Sequence, residues 1–158
     1  MNAVKRVVEA GGGDTTHLLH LLDAWQRTPG GDHPLTEDVR ARLTQALPRQ
    51  PHLIALLAMD GENPIGCAVG FHHLYLFAGQ PIANIQFLFV QPAHQRRGIA
   101  RELMQAFEDR ARMLGCRRLT LEVRAGNAPA KSLYAALDYR QAVFGPQRDA
   151  LEYWEKAL

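Results

Sequence analysis

Cysteine is scarce in this chain: Cys67 and Cys116 are the only two in 158 residues, far apart and without CxxC spacing. That excludes a disulfide scaffold and a thiolate metal site. With no secretory leader ahead of them, both are expected to be buried free thiols of a protein in the reducing cytoplasm. Unbroken apolar runs are missing too. Residues 64–95 hold no Asp, Glu, Lys or Arg, but Pro64, Gly66, Gly70, Gly79, Pro81, Asn84 and Gln86 interrupt them too often for a membrane span. Their expected place is the middle of a core, and a membrane is not expected as a partner. A large charge imbalance is also absent, since the net charge of +2 implies no nucleic-acid partner. The seven histidines have no cysteine or carboxylate spaced with them, so no metal is expected. There is no P-loop, dinucleotide fingerprint, repeat, low-complexity stretch or linker. With 47% hydrophobic and 22% charged residues, disorder is excluded and one domain over 1–158 is expected.

Charge is uneven along the chain. Eight arginines (Arg96, Arg97, Arg101, Arg110, Arg112, Arg117, Arg118, Arg124) crowd residues 96–124 against four acids. Such a stretch is either the solvated face of a helix or a site for a small polyanion.

The pattern predicts a strand over Val4–Ala10, then a helix capped by Asp14 or Thr15 that carries Leu18, Leu19, Leu21, Leu22 and Trp25. Thr36 caps a second helix, with Glu37 and Asp38 in its first turn. Strands over Leu53–Met59 and Ile65–Phe77 flank an Asp60-Gly61 turn, which signals a hairpin. A strand over Ile82–Val90 leads into a helix with Ala100, Leu103, Met104, Phe107, Ala111 and Leu114 on one stripe, stopped at Gly115. In the next strand, Arg117–Arg124, Leu119, Leu121 and Val123 alternate with Thr120, Glu122 and Arg124. This is a βαβ crossover, and it makes its two strands parallel. Asn127 caps a shorter helix to Leu137, and Tyr139–Phe144 with Ala150–Ala157 reads as a closing hairpin.

Between Val90 and the crossover helix lies Gln91-Pro92-Ala93-His94-Gln95-Arg96-Arg97-Gly98-Ile99-Ala100, with no Ser, Thr, Asp or Asn to cap the helix. The first N–H groups of a helix lack internal partners, so an uncapped start binds either water or an anion. Gly98 removes a blocking side chain, and Arg96 and Arg97 add positive charge.

Gln95-Arg96-Arg97-Gly98-Ile99-Ala100 matches Q/R-x-x-G-x-G/A, the pyrophosphate signature of the GNAT superfamily of acyl-CoA-dependent N-acyltransferases. Ile85–Pro92 resembles the strand before that signature, and Leu121–Tyr134 resembles the family's downstream "L.V...N..A...Y" motif. The specific match covers residues 85–140. It implies an α/β, GNAT-type acyl-CoA N-acyltransferase fold: a mixed twisted sheet with a splayed central parallel strand pair and helices on both faces. It also implies that Gln95, Arg96, Arg97, Gly98, Ile99 and Ala100 hold the pyrophosphate of acetyl-CoA, the co-substrate. Leu88, Phe89 and Val90 would pair with its pantetheine arm, and Asn127 and Ala130 would contact that arm. Tyr134 would protonate the departing CoA thiolate, although its helical stripe with Ala130, Leu133 and Leu137 is also what packing requires. Cys67 and Cys116 would be inert.

The sequence departs from the family at two points. Relatives often carry a carboxylate on the strand corresponding to Ile82–Val90, and here there is none. The candidates to take the proton of the amine are His72 or His73, which diverge, or a water held by Asn84 and Gln86, which are on one face with Leu88 and Val90; Asn84, Gln86 and His72 are also the polar residues available to the acceptor. Acids such as Asp23, Asp32, Glu37 and Asp38 lie only in the early helices and their loop. Asp138 also stands where the family usually has glycine, a left-handed position that Asp tolerates. The expected activity is acetyl transfer to a primary amine of a small molecule. The alternatives are a non-catalytic acyl-CoA sensor, motivated by the missing carboxylate, and an acetyltransferase of protein N-termini or lysines. Oligomeric state is not legible, and a homodimer stands as the one further partner expectation.

Overall fold

The Asp60-Gly61-Glu62-Asn63 turn pairs Asp60 with Asn63 and sets Gly61 at φ 61°, the left-handed geometry of a two-residue hairpin. That hairpin lies at the heart of a computed structural model that describes residues 5–31, 34–142 and Lys156. The elements are β1 (Lys5–Glu9), α1 (Thr15–Gln26), α2 (Glu37–Ala46), β2 (Leu53–Asp60), β3 (Asn63–Tyr75), β4 (Gln80–Val90), α3 (Ile99–Met113), β5 (Leu119–Leu121) and α4 (Ala128–Ala135). They fall into two compact units, residues 1–122 and residues 123–158.

In the first unit, five strands form a sheet in the order β1-β2-β3-β4-β5. The first four are mutually antiparallel, and β5 runs parallel to β4. The charge-free stretch thus supplies β3, the central strand, and its neighbour β4. Alternation sorts their side chains to two faces. Leu18 and Leu21 of α1 pack with Ala55, Leu57, Met59, Cys67 and Phe89 on one face. The fully buried stripe of α3, Leu103, Met104 and Phe107, occupies the other.

Local signals act as expected. Thr36 Oγ1 accepts from the Val39 N–H at 3.3 Å and caps α2. Asp14 instead turns back, its carboxylate accepting from the Gly11 N–H at 2.8 Å, so α1 begins without a side-chain cap. Gly115, at φ 77°, ends α3: its N–H donates to Arg112 O and the Cys116 N–H donates to Ala111 O, each at 2.9 Å.

Three expectations change. The strand expected to run to Phe77 turns after Tyr75, leaving Leu76 and Phe77 80% and 93% exposed. The strand expected over Arg117–Arg124 is only Leu119–Leu121. Most consequentially, β4 is bulged: Val69 pairs with Phe87 and Gly70 with Ile85, so Gln86 is an extra, unpaired residue. The extra residue reverses the alternation, and Asn84 therefore does not share a face with Leu88 and Val90, while Gln86 has no ladder partner. Asn84 pairs with Phe71, which pairs with Leu53 on the α1 face. Val90 lies on the α3 face near Leu103, where a Cβ at Gly66 would touch both. Gly70 is required at the bulge, because a Cβ there would overlap Asn84 O and press on Phe107 Cζ at 2.9 Å.

In the second unit, α4 is followed by an irregular segment, residues 139–142. The rest of the expected closing hairpin lies outside the described residues, apart from Lys156, and so does Asp32.

Candidate functional site

The turn from β4 into α3 leaves a row of donors open. Gly98 sits at φ 84° and Arg96 at φ 58°. The first bond of the helix is Glu102 N–H to Gly98 O at 3.0 Å. No side chain caps the start of α3, and among the described residues the N–H groups of residues 96–101 find no acceptor. Nothing lies within 4 Å of the position a Gly98 Cβ would take. Glycine is therefore required here by backbone conformation, and its bareness keeps the space over the amides clear. Arg96 and Arg97 are exposed and, among the described residues, in no ion pair. These donors and cations suit a pyrophosphate. Gln95 has a different place: its side-chain Nε2–H donates to Val90 O at 3.0 Å and braces the loop against the end of β4.

β4 and β5 part company at the bulge. Pairing runs from Ala83↔Leu119 to Ile85↔Leu121 and stops, while β4 continues to Val90. The Gln91 N–H donates to Ile65 O at 2.9 Å. By the alternation of an antiparallel ladder, Phe87 and Phe89 also turn their backbone groups toward β3. Leu88 and Val90 therefore face the edge that β5 has left. Val90 O is taken by Gln95, leaving the Leu88 N–H and C=O and the Val90 N–H for an extended arm. Phe89, expected with them, is a core residue with 6% exposure.

β4 carries no carboxylate, but one lies just beyond the neighbouring strand. Asn84 Nδ2–H donates to Thr120 Oγ1 at 3.0 Å and to the Glu122 carboxylate at 3.3 and 3.5 Å. Glu122 follows the last paired residue of β5, where the strands begin to diverge, and its side chain is exposed. A search confined to β4 misses it. The signal available in the sequence was the alternation of Thr120 and Glu122, which puts both on one face once the parallel register is known. Gln86 is exposed at the bulge.

His72 is not brought to this cluster. It pairs with Ala83, on the opposite face from Asn84, with its ring edge-on to His52 at 4.8 Å. Burial lowers its pKa first, then the positive charges of His52, Arg110 and His73. His73 is exposed.

In the second unit, Asn127 Oδ1 accepts from the Ala130 N–H at 3.2 Å, so Asn127 caps α4, and Pro129 sits in the first turn. Ala130, Leu133, Tyr134 and Leu137 are the half-buried stripe among exposed neighbours. Burial raises the Tyr134 phenol above its usual pKa, which keeps it a proton donor. Among the described residues no cluster of three or more His, Cys, Asp or Glu could hold a metal ion, and no helix is long and apolar enough to cross a membrane.

Comparison with known proteins agrees with this geometry. Residues 18–139 match the model of the Acetyltransferase (GNAT) family. An aminoglycoside N(6')-acetyltransferase type 1 of Stenotrophomonas maltophilia is 28% identical over 121 residues, 75% of this chain and 79% of that protein. A [ribosomal protein bS18]-alanine N-acetyltransferase of Escherichia coli (strain K12) is 42% identical over 60 residues, 38% of this chain and 40% of that protein. AAC(6')-Iy, solved with the bisubstrate analogue CoA-S-monomethyl-acetylneamine, superposes with a TM-score of 0.78 at 19% identity, covering 98% of this chain and 99% of that one. With the matched model spanning most of its length and the splayed sheet and uncapped loop in place, the chain belongs to the acetyltransferase (GNAT) family and is a GNAT-type N-acetyltransferase.

Proposed function

We propose that this protein transfers the acetyl group of acetyl-CoA to a primary amine of a small molecule by direct attack in a ternary complex. The observation that carries the proposal is the conjunction of free amides at residues 96–101, the open edge of β4 beyond Ile85, and Glu122 where the strands part. Acetyl-CoA supplies an activated thioester. The loop amides with Arg96 and Arg97 hold its pyrophosphate, and Leu88 and Val90 hold its arm through backbone hydrogen bonds. Asn127 and Ala130 are assigned to the same arm by the family motif.

Glu122 accepts a proton from the acceptor ammonium, directly or through one water, which frees the lone pair to attack the carbonyl carbon. The new C–N bond forms and the C–S bond breaks. Tyr134 gives its phenolic proton to the departing sulfur. Orientation supplies the largest share of the acceleration, since both reactants are bound before the chemistry begins. Cys67 and Cys116 take no part, and no covalent enzyme intermediate is needed. The motive for a non-catalytic sensor was a missing carboxylate, and Glu122 removes it.

Two acceptor classes lead. Several curated relatives are named as aminoglycoside N(6')-acetyltransferases, and another acts on the alanine of ribosomal protein bS18. The same reading treats residues 1–158 as one acetyltransferase domain working in the cytoplasm, where both thiols stay reduced. The test is release of CoA thiol from acetyl-CoA at pH 8 across aminoglycosides, polyamines, amino acids and peptides with N-terminal alanine. Gly98→Glu, which sets bulk and negative charge over the loop amides, is the control. Turnover with a small amine that disappears in Gly98→Glu is expected; turnover with the alanine peptides alone, or silence across the panel from a protein that acetyl-CoA still stabilises, would overturn the small-amine reading.

A further inference from the structure

Asn84 is a polar side chain in an otherwise apolar stretch of β4, directly opposite Thr120 in the parallel ladder. Its amide nitrogen has two oxygen partners, Thr120 Oγ1 and the carboxylate of Glu122. Because a carboxylate only accepts, the nitrogen of the amide must be the end that faces it. The bulge at Gln86 puts Asn84 on this face, and direct pairing with Thr120 fixes where its side chain reaches. Among the described residues Glu122 is in no ion pair, and the side chains recorded against it are the uncharged Asn84 and, through Asn84, Thr120. The nearest cation on the same alternation within this unit, Arg118, is turned onto the Tyr75 ring at 4.5 Å.

We infer that Asn84 is a positioning residue: its amide, anchored on Thr120 across β4 and β5, donates to Glu122 and holds that carboxylate in place where the strands part. The inference rests on Glu122 being the proton acceptor. An amide in this place does what a cation would do less selectively. It fixes the carboxylate by a hydrogen bond and adds no positive charge that would repel an incoming ammonium.

The test compares kcat and KM for wild type, Asn84→Ala, Asn84→Asp, Thr120→Val, Glu122→Gln and the double variant Asn84→Ala with Glu122→Gln, with acetyl-CoA affinity measured separately on each. In Asn84→Ala kcat is expected to fall about threefold to tenfold with KM nearly unchanged. In Asn84→Asp it should fall further, because a second carboxylate then faces the first. Thr120→Val should lower it by less, and acetyl-CoA affinity should be unchanged in all. Because Asn84 acts through Glu122, the double variant should be no slower than Glu122→Gln alone. A wild-type kcat in both Asn84 variants, or losses that multiply in the double variant, would overturn the positioning role. If Glu122→Gln keeps the activity of wild type, it is the proton-acceptor reading that fails.

Discussion

Tyr134 and Cys67 are both pushed above their ordinary pKa values by burial, with opposite meanings for function. For Tyr134 the shift keeps a proton on the phenol beyond its usual value of 10, so the acid is loaded at pH 8. Tyr134→Phe is expected to lower kcat by about a hundredfold or more while leaving acetyl-CoA affinity unchanged. Single-turnover thiol release beside a binding titration measures both, and equal losses in the two would make Tyr134 a packing residue. Cys67 is pushed up to about 12, against 9 for an exposed thiol, and is wholly buried. Because the folded pKa is raised, the full contribution to stability is present below pH 9 and is lost as pH rises toward 12. Urea midpoints measured from pH 8 to 10.5 should fall less steeply in Cys67→Ala than in wild type. A thiol reagent should leave native Cys67 unmodified at pH 8. At this scale the bare, uncapped turn at Gly98 and its flanking arginines were legible, because a short motif carries them whole. The contact of Glu122 with Asn84 was not: it depends on which residue lies across the parallel ladder, and that is a property of two strands.

At the scale of elements, sequence reasoning found the strands and helices that propensity and caps define, and missed the irregularity that makes the site. A bulge is one extra residue with no compositional mark, yet at Gln86 it reverses the face of Asn84 relative to Leu88 and Val90, and pairing with β5 stops just before it, at Ile85. Helix ends were more legible. The end of α4 departs from the family's glycine, and it folds as a left-handed stop all the same: Asp138 has φ 65°, with its N–H donating to Ala135 O at 3.1 Å and the Tyr139 N–H donating to Tyr134 O at 2.9 Å. That pair of bonds is the usual arrangement around a left-handed residue, normally glycine. Asp138→Gly should therefore stabilise the protein by about 0.5 kcal/mol, and Asp138→Val should destabilise it by about 1 kcal/mol or more. The urea midpoint at an unchanged denaturant slope reads both, and a midpoint lowered by the glycine would show that the aspartate carboxylate contributes more than its backbone strain costs.

For the molecule as a whole, the decisive question is whether residues 1–122 and 123–158 fold as one. The sequence, with no linker between Leu121 and Asn127, argues for a single domain. The sequence holds one tryptophan in each stretch, Trp25 in residues 1–122 and Trp154 in residues 123–158. Trp154→Phe leaves only Trp25, whose ring meets Phe87 edge-on at 5.5 Å and so senses the core beneath α1. Trp25→Phe leaves only Trp154. If the chain is one acetyltransferase domain, each variant should show the same urea midpoint by its remaining tryptophan as by circular dichroism. Acetyl-CoA at one hundred times its dissociation constant should raise the stability seen by either probe by the same amount, about 2.7 kcal/mol. Separate midpoints, or a ligand shift confined to Trp25, would mean that the pyrophosphate loop and Tyr134 belong to independently folding pieces. The proton donor would then have to be sought within residues 1–122.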